Sequence, residues 1–123
     1  RLALGVERPR TPPGRGPRSF DPQSQAVTVD ALLTRIEAVD GPLIVAGDLN
    51  ISDRHRFYRH LRRHLGDAHR DAGAGFGFTW RAPRPFVRID YVLRSDHWGT
   101  GRSETGTIPG SDHRYVYADL VLL

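Results

Sequence analysis

The sequence predicts one domain of the mixed class, α+β or α/β, with helices early and strands late. Three observations carry that expectation. At 123 residues the chain has room for one modest core, burying only about two-thirds of the surface its unfolded form exposes. Apolar residues recur at helical spacing in two early segments, whereas the later segments are apolar runs or alternations of strand length. A composition of 38% apolar and 26% charged residues is that of a folded protein, not of a disordered one.

Leu2 to Val6 reads as a strand. Glu7 to Arg18, with four Pro and two Gly, reads as a loop or solvated arm, because proline removes the backbone donor that a helix interior or central strand needs. Asp21-Pro22 marks a helix start, with Asp as N-cap and Pro in the first turn. Val29, Leu32, Leu33 and Ile36 keep helical spacing up to the stop at Asp40-Gly41. Leu43 to Ala46 is a continuously apolar strand buried on both faces, and a loop from Gly47 to Ser52 leaves its end.

From Asp53 a second helix is predicted, its stripe being Phe57, Leu61 and Leu65, its remaining faces carrying Arg54, Arg56, Arg59, Arg62 and Arg63, and Gly66 closing it. Gly73 to Gly77 is a loop, and Phe78–Arg81, Phe86–Leu93, Trp98–Thr107 and Tyr115–Leu123 read as strands. Residues 1–20 are thus a strand with a Pro/Gly/Arg-rich loop, and 21–123 hold the helices, strands and motif loops. No apolar run approaches the ~20 residues a membrane-spanning helix needs. The first residue is Arg rather than Met, and the chain is expected to continue upstream of it.

Without cysteine, a metal would be held by Asp, Glu, Asn or His, which favours hard cations. The 18 basic residues are all Arg, and the net charge of +4 mildly favours anionic partners. Three strings place acidic, amide or imidazole groups at predicted strand ends, where a sheet presents side chains to a cleft: Gly47-Asp48-Leu49-Asn50, Arg88-Ile89-Asp90-Tyr91 and Gly110-Ser111-Asp112-His113. Asp48 and Asn50, two apart, point the same way in an extended segment, a pair suited to activating water beside a phosphate. Asp90 sits among Val87, Ile89, Val92 and Leu93, so its carboxylate needs a partner. His113 is the candidate, since a carboxylate on one ring nitrogen fixes the tautomer and leaves the other for substrate. Asp112 offers hard oxygen to Mg²⁺.

Arg88, Tyr91, Trp80 and Ser111 are the candidate substrate contacts. Each also has a structural reading: a buried Arg-Asp pair, core aromatics, a capped turn. His60 and His64 lack the Glu of a metalloprotease helix and read as a solvated basic face. Ser111, Asp112 and His113 are consecutive and lack a nucleophile elbow, which excludes a nucleophilic hydrolase.

With GDLN at 47–50, RIDYVL at 88–93 and GSDHRYV at 110–116, the chain resembles the endonuclease/exonuclease/phosphatase (deoxyribonuclease-I-like) superfamily, whose members usually show GDFN, RIDYIL and SDHRPV. Phe78-Thr79-Trp80 looks like the aromatic strand preceding the RIDY strand. Leu49 and Tyr115 depart from the pattern at packing positions. The resemblance implies the C-terminal half of a four-layered α/β/β/α sandwich, a mixed sheet with helices on its outer face. It implies Asp48 acting on the attacking water, Asn50 donating to phosphoryl oxygens, Asp90 orienting His113, His113 at the scissile phosphate and Asp112 at Mg²⁺ or Mn²⁺. The implied reaction is hydrolysis of a phosphodiester in nucleic acid or a phospholipid-type substrate. Family members are about twice this length, so an uncovered apolar sheet face is expected, to be met by a missing N-terminal half or a second copy. The competing reading is a non-catalytic Arg-rich module that binds nucleic acid or protein, or an inactive half-domain.

Overall fold

Four strands form a mixed sheet in the order β1-β2-β4-β3 in the computed structural model, which describes residues 2–6 and 22–123. The Pro/Gly/Arg-rich segment and the expected N-cap Asp21 lie outside the described residues. Strand β1 (Leu2–Val6) runs parallel to β2 (Leu43–Asp48), and β2 pairs antiparallel with β4 (Asp90–Arg94), which in turn pairs with the two-residue β3 (Gly66–Asp67).

The period of two along a strand explains the core. In β2, Leu43 and Val45 point inward, and in β4 Tyr91 and Leu93 do the same. Helix α1 (Pro22–Ala38) lays Leu32 and Ile36, one turn apart, on that face, and α2 (Arg56–Arg62) adds Phe57, Tyr58 and Leu61. Helices therefore cover one side of the sheet, as expected. Beyond α1, which ends at Ala38, Gly41 takes φ +143°, a conformation that favours glycine.

Three boundaries differ from the sequence expectation, each for a local reason. Helix α2 starts at Arg56, not near Asp53, because His55 is the N-cap, its Nδ1 accepting from the Phe57 amide at 3.1 Å, and Ser52 and Arg54 close a turn before it. It ends at Arg62, and Gly66 belongs to β3. A short helix α3 (Ala68–Ala72), absent from the sequence reading, starts where the Asp67 carboxylate accepts from the His69 amide at 3.1 Å.

The strands expected at 78–81 and 86–93 shrink to bridges from Trp80 to Val87 and to His113, with β4 beginning only at Asp90. Pro83 and Pro85 lie between them and cannot donate to a ladder. Thr79 Oγ1 instead accepts from the amides of Ile89 and Asp90, both at 3.2 Å.

Strands β5 (Trp98–Thr107) and β6 (Arg114–Leu122) form a separate antiparallel ribbon with a register shift between Thr100 and Arg102. Along β6 the residues alternate, with Tyr115, Tyr117 and Val121 at 42%, 43% and 59% exposure on one face. No helix among the described residues is long and apolar enough to cross a membrane.

Candidate active site

The register of the central pair decides the geometry. Asp48, the last residue of β2, lies opposite Asp90, the first of β4. Two like charges facing each other across an antiparallel pair are destabilising unless something positive or hydrogen-bonding meets them. His113 does. Its backbone bridges to Trp80, which delivers the ring to the strand ends just before β6.

The His113 Nδ1–H donates to Asp90 Oδ2 at 2.8 Å. Its Nε2 then lies 3.9 Å from Asp48 Oδ2 and 3.9 Å from Asp112 Oδ1. Asp48, Asp90 and His113 bring one ligand atom each to within 4.8 Å of one another. Their side chains retain 13%, 18% and 14% exposure, enough to meet a solute while excluding most bulk water. Gly47, paired with Tyr91 just before Asp48, takes φ +138°, a conformation that favours glycine.

Asp48 and Asn50 do not sit in an extended segment as the sequence suggested. Asn50 takes φ +57°, which Asn tolerates better than most residues, and its amide donates to Asp48 Oδ1 at 2.8 Å. This turn pins the carboxylate and leaves Asn50 exposed beside it. Ser111 Oγ accepts from the His113 amide at 3.1 Å, capping the turn that presents the ring. Asp112 stays outside the close trio: its Oδ2 accepts from Trp80 Nε1 at 3.3 Å and its side chain is 61% exposed. Trp80 packs against the exposed Phe86 with centroids 5.6 Å apart, and Arg81 lies 6.0 Å over its ring, so the 80–87 hairpin forms a wall next to His113.

Arg88 and Tyr91, expected among the substrate contacts, lie in the core instead. The Arg88 guanidinium is buried, ion-paired with the fully buried Asp67 and 4.7 Å over the Tyr91 ring. The Tyr91 hydroxyl, also buried, donates between the carbonyls of Ile51 at 2.8 Å and Arg88 at 2.7 Å. Their task is to hold the start of β4, and through it Asp90, in place.

Asp67 is the residue sequence reasoning missed. It accepts from Arg88, from the Tyr58 hydroxyl at 2.5 Å and from the His69 amide. Burial alone would raise its carboxyl, but the hydrogen bond and charge of Arg88, with the Tyr58 bond, hold it below the usual range. Burial, followed by the bond to Asp67, pushes the Tyr58 phenol up to about 12. The local signal for Asp67 was its place just ahead of Ala68-His69-Arg70, where an Asp caps a helix.

The mixed sheet thus ends in a carboxylate–imidazole cluster, with the strand ends presenting polar groups to one place. The model of the Endonuclease/Exonuclease/phosphatase family matches residues 2–113, and the chain belongs to that family, whose members are hydrolases such as phosphatases and nucleases. No curated protein matches it in sequence.

Among solved structures, the chain is similar to an endonuclease/exonuclease/phosphatase from Bacteroides vulgatus (22% identity, TM-score 0.69, 82% of this chain and 45% of that one). It is similar to one from Beutenbergia cavernae (26%, 0.66, 81% and 31%) and to a mannosyl-6-phosphatase of Bacteroides thetaiotaomicron (18%, 0.65, 84% and 48%). The chain thus spans less than half the length of these structural relatives, with which it shares the fold of part of the domain.

Proposed function

We propose that this chain carries part of the centre of a divalent-metal-dependent phosphoesterase that hydrolyses a phosphodiester by in-line attack of water. The observation that carries the reading is the His113 ring, held by Asp90 through Nδ1, with Nε2 facing Asp48 across 3.9 Å. A gap of that size between a fixed imidazole nitrogen and a carboxylate oxygen suits polar groups that act on one small reacting group rather than on each other.

In this reading Asp48 Oδ2 orients the attacking water and takes its proton as the oxygen–phosphorus bond forms and the bond to the leaving oxygen breaks. Asp90 fixes the ring so that Nε2, when protonated, faces the phosphoryl oxygens on which negative charge grows. Asn50 donates to a phosphoryl oxygen from the neighbouring turn, and Ser111 and Trp80 border the substrate. The donor set fits a hard divalent cation, being mostly carboxylate oxygen with one imidazole. Asp112, whose Oδ1 lies 3.9 Å from His113 Nε2 at the edge of that group, would hold Mg²⁺ or Mn²⁺, which when bound supplies charge neutralisation at the phosphoryl group.

The family to which the chain belongs includes phosphatases and nucleases, which supports the reading. The choice of a diester is part of this reading, in which the Trp80–Phe86 wall beside His113 would meet the group on the leaving oxygen. The exposed row Tyr115, Tyr117 and Val121 is the surface that the remainder of the polypeptide, or a second copy, would cover.

The test is turnover of a nucleic-acid diester, a phospholipid and a phosphomonoester by the full-length protein under Mg²⁺ and under EDTA. Diester cleavage that vanishes in EDTA supports the reading. Binding without turnover under Mg²⁺ would favour the non-catalytic Arg-rich module instead.

A further inference from the structure

Between α2 and α3 lies an open groove of about 430 Å³ lined by Asp53, Tyr58, Arg59, Arg62, Arg63 and Arg70. Arg62 and Arg63 also line a second hollow of about 220 Å³, together with Arg94 and the carboxylates of Asp71 and Asp96. We propose that this groove binds the phosphate backbone of a nucleic-acid strand, as a site separate from the Asp48–Asp90–His113 centre.

Arg59, Arg62 and Arg63 stand at i, i+3 and i+4 and so share one face of α2, while Arg70 enters the groove from α3. Like charges at that spacing weaken a helix, and α2 has only seven residues with which to offset the cost. Elsewhere in the chain Arg88, Arg94 and Arg102 meet carboxylates. Among the described residues, no ion pair engages any of the four groove arginines, although Asp53 lines the same groove.

Two of the guanidiniums are also held in place. Arg59 Nη1 donates to the Arg54 carbonyl at 3.1 Å and Arg62 Nη1 to the Leu65 carbonyl at 3.2 Å, so the remaining donors of each fork stay aimed. Burial, followed by the charges of Arg56 and Arg59, holds the imidazole of His55 at the head of α2 below its ordinary value.

The form of the site selects the ligand. Four guanidiniums line one open groove along two helices, which matches a chain of phosphates better than a single one. No exposed apolar side chain lines either hollow. A basic face that docks on a lipid surface carries Trp, Phe or Leu beside its charges.

The experiment is fluorescence anisotropy of the full-length protein with a labelled single-stranded oligonucleotide of about 16 nucleotides, in EDTA, across a salt series. EDTA removes hydrolysis, so this result stands or falls apart from the phosphoesterase reading. Each of Arg63→Ala and Arg70→Ala is expected to reduce the slope of log K against log salt by roughly 0.7. Arg63→Lys and Arg70→Lys, which keep the charge, should retain most of it, and Arg102→Ala on β5 should leave it unchanged. Alanine variants that keep their circular dichroism spectrum and the wild-type slope would overturn the proposal. So would retention by anionic phosphatidylserine vesicles that is sensitive to these arginines while the oligonucleotide is not bound.

Discussion

Replacing Arg88 by Met decides whether that arginine serves substrate or fold. Its guanidinium is buried and shares Asp67 with Tyr58, and Asp67 itself has no exposed surface. Removing one partner of such a pair strands the other charge in the interior and costs about 3–5 kcal/mol, a large share of the roughly 5–15 kcal/mol that holds a domain together. At about 4 °C per kcal/mol for a domain of this size, the melting temperature should fall by roughly 12–20 °C. Asp67→Asn should lose a comparable amount. Arg88→Met combined with Asp67→Asn should recover part of it, because no unpaired charge remains and the Asn oxygen still accepts a hydrogen bond there. Thermal melts of the three variants measure this. Single variants that melt within a degree or two of wild type, with a raised KM, would refute the core assignment and return Arg88 to the substrate.

Other outcomes follow from the same geometry. Asp90→Asn removes the acceptor that fixes the His113 tautomer, and kcat should drop by about 10²–10⁴-fold with KM little changed, read by steady-state kinetics. Tyr91→Phe gives up the hydroxyl between the Ile51 and Arg88 carbonyls and should cost about 0.5–1.5 kcal/mol in urea unfolding, without a change in kcat. Because Asp67 titrates below its unfolded value when folded, its contribution to stability is complete above the ordinary carboxylate range. It is lost as pH falls through that range toward the folded value, and Asp67→Asn should abolish that part of the acid dependence in urea midpoints taken at stepped pH.

The residues of the candidate centre were legible because their positions are local. Asp48, Asp90 and His113 each sit in a short string at the end of a strand, and strand pairing does the rest. Asp112 and Ser111 were legible as neighbours of His113, but not their bonds, since the Trp80 indole and the His113 amide come to them through the hairpin fold. Arg88 was misjudged because its partner Asp67 lies 21 positions earlier, in a strand of two residues that no periodicity can reveal. Helix α3 was missed for a related reason: at five residues it has no repeating stripe, only the cap at Asp67. At 78–81 only Trp80 forms bridges, because the Thr79 hydroxyl takes the Ile89 and Asp90 amides that a longer ladder would use, a side-chain bond that no strand pattern reveals.

In the proposed mechanism Asp48 and His113 act on the reacting phosphate. Its most direct test is kcat for phosphodiester hydrolysis under Mg²⁺ by full-length Asp48→Asn and His113→Ala, with their melting temperatures measured beside it. The account predicts losses of at least about 10²-fold in each, with melting temperatures close to wild type. Full residual activity in either variant would contradict it.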